Sequence, residues 1–393
     1  MKVESPMNFQ LSDEMQLFAE TVRDWVDREA PKSYARELEI HEHDYPFELW
    51  DKMTAAGFHG IGIDEAYGGQ GGDILTQVVL GRGLARSLAG LSWVWAITSF
   101  AGAKAINLMG SDEQKQRFLP RIAAGELRFS IGFSEPGGGT DVLGGMRSFA
   151  KRVDGGWLVS GNKTWSTSAH VADYVLLLAR TDRDVAKRHQ GLSLFLLPTK
   201  ADGVTISELS KLGMRAIGSC DIGMDDVFVP DDLVLGEPGK AWYQLLPTLN
   251  NERTLVASFC LGILDGILED ALAYVQERHA FGKPIGQFQI LQHYIADIAI
   301  QRKQIELMVL NAAWMQNEGI PAHMETTMVK VAASEAAVAA ADKGIQILGG
   351  MGYSAETDMQ RYWRDARLWP IGPITNEMAR NTIAEQLGLP RSF

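Results

Sequence analysis

From Ser12 the chain places apolar residues at helical spacing. Leu17, Phe18, Val22, Trp25 and Val26 recur every three or four positions and so share one face of a helix. Ser12, with Met15 and Gln16 behind it, has the hydroxyl that caps a helix start, and Ser111-Asp112-Glu113 repeats that logic ahead of residues 114–119. The spacing predicts helices across about residues 12–125, broken by the glycine cluster at 67–72. Between about residues 127 and 230 the period drops to two. Residues 149–153 and 157–160 flank Asp154-Gly155-Gly156, a hairpin signal, and 174–178, 192–197, 204–207 and 227–229 are short apolar runs between turns. After Pro230 helical spacing returns over 248–278, 287–317 and 321–347, joined by glycine or proline, as in an up-and-down bundle. The pattern predicts an α+β chain in three parts: an N-terminal helical domain over 1–125, a middle β domain (barrel or sandwich) over 126–232, and a C-terminal helical bundle over 233–393.

One charge sits badly in this pattern. The helix expected from about Thr248 carries Leu249, Val256, Phe259, Ile263 and Ile267 in its apolar stripe, and Glu252 falls among them. A carboxylate facing a core is costly unless it is paired or used. Arg253 beside it offers an ion pair, although adjacent helix residues point about 100° apart and rarely meet. The position is therefore either a paired structural charge or a base awaiting a substrate.

Composition narrows the classes. A chain of 393 residues is long for a single core, and 46% hydrophobic with 22% charged residues is ordinary for a globular protein. A net charge of −12 argues against a general nucleic-acid or anionic-membrane binder, while leaving room for one local basic pocket. Cys220 and Cys260 are too few for a disulfide framework or a cysteine metal site, which fits a reducing, cytoplasmic setting. The opening MKVESPMNFQLSDEMQ has no apolar stretch of signal length, and the run at 175–179 is far short of a membrane span, so neither export nor an anchor is expected.

Several chemistries fall away on spacing. Gly137-Gly138-Gly139-Thr140-Asp141 lacks the lysine of a phosphate-binding loop, and Gly349-Gly350-Met351-Gly352 follows a helical run instead of a strand. His41-Glu42-His43-Asp44 is the densest set of potential metal ligands, but it reads better as a solvated turn, and no metal is expected. No GxSxG elbow is present. Three polar clusters survive. Residues 133–141 run from a strand into a proline and three glycines, residues 161–167 set Trp165 among hydroxyls where it can stack on a planar ring, and residues 277–284 bring cations to a helix end.

These clusters fall in a recognisable order. YGGQGG at 67–72, FSEPGGGTD at 133–141, GNKTWSTSA at 161–169, KLGMR at 211–215, ERHAFGKPIGQFQ at 277–289, QILGGMGY at 346–353 and RYWRDAR at 361–367 together resemble the acyl-CoA dehydrogenase family over essentially the whole chain. The resemblance implies that fold, with a C-terminal four-helix bundle, and FAD between the β domain and the C-terminal helices of a homotetramer. It implies Ile131, Phe133, Ser134, Gly139, Thr140, Trp165 and Thr167 around the isoalloxazine, with Thr140 also at the CoA arm. Arg278, Phe281 and Gln289 are expected on the nucleotide half of FAD across the subunit interface, with Gln346 and Gly350 near its pyrophosphate or adenine, and Thr375 and Glu377 after the RYWRDAR helix. The implied reaction is α,β-dehydrogenation of an acyl-CoA, in which a carboxylate takes the α-proton, the β-hydrogen leaves as hydride, and electrons pass to electron-transferring flavoprotein.

The chain departs from the family at the base. Most members carry a glutamate in the loop after the RDAR helix, but an ungapped count from Arg364-Asp365-Ala366 puts Pro373 there, which has neither a base nor an amide to donate. Some members place the base on the long C-terminal helix just before an arginine, and Asn251-Glu252-Arg253 is similar to that arrangement. Glu252 is thus the expected catalytic base, with Asn250, Arg253 and Thr140 at the substrate. A medium, branched or cyclic acyl group is expected, with Trp93 and Trp95 as candidate pocket walls. The alternatives are an enoyl-CoA reductase running the reverse reaction, a lyase or flavin monooxygenase of the same fold, and a non-catalytic flavin-binding subunit.

Overall fold

The computed structural model describes residues 10–40 and 45–391, so the His41-Glu42-His43-Asp44 cluster lies outside the described residues. Seven α-helices come first: α1 (Asp13–Glu29), α2 (Lys32–Ile40), α3 (Phe47–Ala55), α4 (Ile74–Ser87), α5 (Ala89–Thr98), α6 (Ala105–Met109) and α7 (Asp112–Ala123). The caps form as the spacing requires: Ser12 Oγ accepts from Met15 N, and Ser111 with Gln114 closes a full capping box. Val22, Trp25 and Val26 are buried, but Leu17 is 64% exposed, so the α1 stripe is narrower than its sequence suggests.

Eight strands follow: β1 (Phe129–Gly132), β2 (Phe149–Val153), β3 (Gly156–Thr167), β4 (Tyr174–Arg180), β5 (Leu192–Pro198), β6 (Val204–Glu208), β7 (Ser219–Pro230) and β8 (Val234–Leu235). They form one sheet in the order β6-β7-β3-β2-β4-β5-β8, with β1 parallel to β4 off that path. Both β3 and β7 run for 12 residues, well past the short segments expected at 157–160 and 227–229. Their extra length carries polar residues and bulges, between Val159 and Gly161 and between Lys163 and Ser166, which break strict alternation in the sequence. A short helix, α8 (Val142–Gly145), precedes β2.

The rest is helical apart from the small β9–β10 hairpin (His279–Ala280 and Lys283–Pro284). Three long helices, α9 (Ala241–Glu277), α10 (Gln289–Asn317) and α11 (His323–Leu348), are completed by short α12 (Gly350–Tyr353), α13 (Met359–Ala366) and α14 (Asn376–Gln386). Helix α9 starts earlier than expected because Pro247 is accommodated inside it. Glycines set how closely α4 approaches α9: a Cβ on Gly81 would stand 2.5 Å from the Phe259 ring, and one on Gly262 would stand 2.3 Å from Arg82 O. Arg82 and Arg302 both bond Asp265 at 2.6 Å and so tie α4, α9 and α10 together.

The two kinds of structure have separate cores. Leu245, early in α9, packs with the sheet core, whereas Leu255 and the residues after it belong to the helical core. Glu252 lies between those positions, at the seam. None of the described helices is long and apolar enough to cross a membrane.

Candidate active site

The end of β1 and the middle of β3 form the first half of the site. Thr164 N donates to Ser134 O at 2.9 Å, and Ser130 Oγ donates to Thr167 O at 2.6 Å, so the strands carrying Ile131, Phe133 and Ser134 lie beside that carrying Trp165 and Thr167. A buried ion pair holds this corner. Lys163, fully buried, donates to Glu135 Oε1 at 2.8 Å and to Phe133 O at 3.2 Å, and Glu135 also accepts from Arg147 N and Ser148 N. Burial alone raises the Glu135 pKa, but Lys163 and the amide donors outweigh it and hold the carboxyl below its usual range.

What this corner presents fits a flavin. Trp165 is 60% exposed on a left-handed backbone (φ 59°), which aims a large flat ring away from the sheet. Ser166 and Ser168 have buried hydroxyls with no partner among the described residues. Gly137 and Gly139 have open space where a Cβ would stand, beside exposed Thr140. An aromatic face, unspent hydroxyls and an unobstructed glycine turn suit a planar ring with polar edges.

The second half is on α9 and the loop before α14. Glu252 is half-buried and takes no hydrogen bond from any described residue. Burial raises its pKa to about 7, with Arg253 and Lys330 opposing that shift in part. The alternative of an ion pair with Arg253 is not realised among the described residues. Arg253 turns to α11 instead, where its Nη1 lies 3.0 Å from His323 Nδ1 and 3.1 Å from Thr327 Oγ1, and Asn250 Oδ1 completes that cluster 3.0 Å from His323. Residues adjacent on a helix diverge, so each finds its own surroundings. In the loop, Pro373 is exposed, Thr375 caps α14 by accepting from Met378 N, and Glu377 is exposed in the first turn of that helix. Lys330, fully buried on α11, bonds Ile374 O and, at 2.8 Å, Asn376 Oδ1.

Sequence reasoning passed over Lys330, although a lysine in the apolar run Val329-Lys330-Val331-Ala332-Ala333 is the same kind of anomaly as Glu252. It also left three aromatic residues that pack in the helical core unassembled. Trp93, Phe259 and Trp369 form a triangle with ring centroids 5.9 to 6.0 Å apart. Trp95 is instead a core residue, fully buried with Nε1 donating to Phe58 O.

The remaining predicted residues lie elsewhere. Arg278 is 26 positions beyond Glu252, about 39 Å along a helix rising about 1.5 Å per residue. Phe281, Gln289, Gln346 and Gly350 are exposed with it at the same end of the bundle, and Phe281 is 95% exposed. The two groups do not meet within one chain, and a phenyl ring so exposed is unusual on a finished surface.

This combination, a three-part helix, sheet and helix chain with a planar-ligand corner on the sheet and a desolvated carboxylate on the long helix, is the framework of a flavin-dependent acyl-thioester oxidoreductase. The acyl-CoA dehydrogenase N-terminal, middle and C-terminal domain families match residues 12–126, 130–227 and 239–388. The probable acyl-CoA dehydrogenase YngJ of Bacillus subtilis is 36% identical over 97% of this chain and 100% of its own length. The caffeyl-CoA reductase-Etf complex subunit CarC of Acetobacterium woodii is 33% identical over 96% of this chain and 98% of its own. The solved structure of butyryl-CoA dehydrogenase from Megasphaera elsdenii superposes with a TM-score of 0.92 at 30% identity, covering 98% of this chain and 100% of that one. The chain belongs to the acyl-CoA dehydrogenase family: it is an oxidoreductase acting on CH–CH groups, and its cofactor is FAD.

Proposed function

We propose that this enzyme dehydrogenates a compact, branched or cyclic acyl-CoA across its α,β-bond, with Glu252 as the base that takes the α-proton. The observation that carries the reading is Glu252 itself, half-buried at the seam of two cores, without a hydrogen-bond donor and with its pKa near 7, where Pro373 leaves the loop without a base. A base matched to neutral pH is suited to a weakly acidic α-carbon, and a carboxylate with no protein partner is free to receive the proton. FAD, when bound, supplies the acceptor for the β-hydride. Ile131, Phe133, Ser134, Gly139, Thr140, Trp165 and Thr167 would hold its ring, with Thr375 and Glu377 contributing from the start of α14. Arg253 and Asn250, fixed by His323, order the α9 segment that meets the thioester.

Two features support a compact acyl group. Phe259 lies seven positions after Glu252, about two helical turns and roughly 10 Å away, so its triangle with Trp93 and Trp369 floors the space below the base. Gly372 has open space around it beside Pro373, leaving width where length is denied. The about 39 Å separation of Arg278, Phe281, Gln289, Gln346 and Gly350 from Glu252 supports a second copy completing each FAD site, in the homotetramer that the family resemblance implies. Electron-transferring flavoprotein is the electron acceptor, a reading supported by the name of the Acetobacterium relative.

Anaerobic titration of the FAD-loaded enzyme with isobutyryl-CoA, butyryl-CoA and cyclohexanecarbonyl-CoA tests this. Flavin bleaching is expected, slowed on the order of 10²–10⁴-fold in Glu252→Gln. Bleaching at the parent rate in that variant sinks the base assignment. The similarity to the reductase-complex subunit supports a second reading, physiological reduction of an enoyl-CoA. That reading requires no bleaching by any saturated ester and rapid reoxidation of the reduced enzyme by the enoyl ester.

A further inference from the structure

Lys330 is a fully buried lysine whose ammonium reaches out of its own helix. It donates to Ile374 O and Asn376 Oδ1, and Asn376 is itself buried and bonded to Ser334 Oγ. One turn earlier on α11, Thr327 holds Arg253, the residue after the base. The same face of α11 therefore touches both halves of the reaction site, α9 at Arg253 and the loop that carries Pro373 at Ile374. A structural lysine needs only its hydrogen bonds. This one also stands within the electrostatic reach of Glu252, and the influence is mutual: each opposes the shift that burial imposes on the other.

We propose that Lys330 is a positioning residue for the base, supplying the positive field in which the Glu252 carboxylate works and tying that field to the 369–376 loop. The inference rests on the reading of Glu252 as base. A proton taken from the α-carbon converts Glu252 from carboxylate to neutral acid, and a cation nearby favours the carboxylate, so it sets the pH at which the base is ready. The other charged or titratable groups around the pair are Arg253 and Cys260 on α9, His323 on α11 and Glu377 on α14. Arg253 is occupied by His323 and Thr327, burial raises the Cys260 thiol far above neutrality, and His323 is held below its ordinary range by burial and by Arg253. Lys330 is thus the cation, besides Arg253, that Glu252 feels at neutral pH. Burial pulls its own pKa down to about 8, so it is still charged there.

The test is the pH profile of kcat/KM for the FAD-loaded enzyme, using whichever of butyryl-CoA and isobutyryl-CoA bleaches the flavin faster and ferrocenium as one-electron acceptor. Lys330→Met is expected to move the acidic limb up by about one unit or more, costing about tenfold at pH 6 with little change at pH 9. Lys330→Arg is expected to restore the limb. If Lys330→Met does not yield folded, yellow protein, Lys330→Gln keeps a donor for Ile374 O while removing the charge, and the same displaced limb is expected. An unshifted limb in either neutral variant, with Glu252→Gln inactive, overturns the proposal and leaves the base assignment standing. Full turnover in Glu252→Gln instead removes the base assignment, and the proposal with it.

Discussion

Glu135 and Glu252 are both withdrawn from water, and they are treated in opposite ways. Glu135 accepts from a buried lysine and from two backbone amides, and those donors hold its carboxyl low. Glu252 has no hydrogen-bond donor among the described residues, and burial pushes it up to about 7. The first is a charge made permanent so that it can fix geometry, here the turn that follows Phe133 and Ser134. The second is a charge left conditional, as the base proposed here requires. Burial alone therefore does not mark a functional acid. Burial without satisfaction does, because a native chain has no structural reason to leave such a group unpaired.

Removing the Glu135 charge has the largest expected effect. Glu135→Gln leaves Lys163, fully buried, without its counter-charge, and losing one partner of such a pair costs about 3–5 kcal/mol. The expected result is a large fall in thermal stability together with weakened FAD retention, because the Phe133–Ser134 backbone loses its anchor. A double variant, Glu135→Gln with Lys163→Met, is expected to recover most of the stability. If the single variant melts with the parent and stays fully yellow, the pair is not what shapes the corner.

Glu252 is expected to respond with the opposite sign. Its folded-state pKa lies above the unfolded value, so the folded state binds the extra proton, and stability falls as pH rises from about 4.5 to about 7 and is flat beyond. At pH 8 the enzyme bears the full cost of an ionised, half-buried carboxylate. Glu252→Gln removes that cost and is expected to be more stable than the parent at pH 8, on the order of 1–3 kcal/mol, while matching it near pH 4. Thermal melts of both proteins, saturated with FAD at the two pH values, read this directly. A variant no more stable at pH 8 than at pH 4, relative to the parent, shows that Glu252 has a partner or better solvation.

How much of this was legible beforehand follows the same physics. Helical stripes, capping residues and the switch to twofold spacing depend on residues near in sequence, and α1, α7, α10 and α11 fell close to their expected positions. The Glu252 anomaly was visible because a charge in an apolar stripe is a local irregularity. Which partner Arg253 takes was not, since His323 and Thr327 lie 70 and 74 positions away. Strands β3 and β7 outran their expected lengths because polar residues such as Asn162, Lys163 and Asp221, together with two bulges, interrupt the alternation, although Cys220, Ile222 and Met224 are buried in the sheet core. The Trp93, Phe259 and Trp369 triangle assembles three helical regions, and nothing in any one of them announces the other two.

That triangle gives the mildest of the expected effects, and it separates the two halves of the function. Trp93 is the member whose removal opens space without touching α9, since Phe259 shares that helix with Glu252 and Trp369 is fully buried at the base of the Pro373 loop. Trp93→Ala deepens the pocket floor, so each methylene beyond a short chain gains room, worth about 1–3 kcal/mol in a hydrophobic site. The kcat/KM ratio of hexanoyl-CoA to butyryl-CoA is therefore expected to rise about tenfold or more, while the acidic limb proposed to report Glu252 stays in place. A changed limb with an unchanged ratio would place Trp93 in the electrostatics of the base and remove it from the pocket floor. A changed ratio with a fixed limb places chain selection on Trp93 of α5, apart from the proton abstraction proposed for Glu252 of α9.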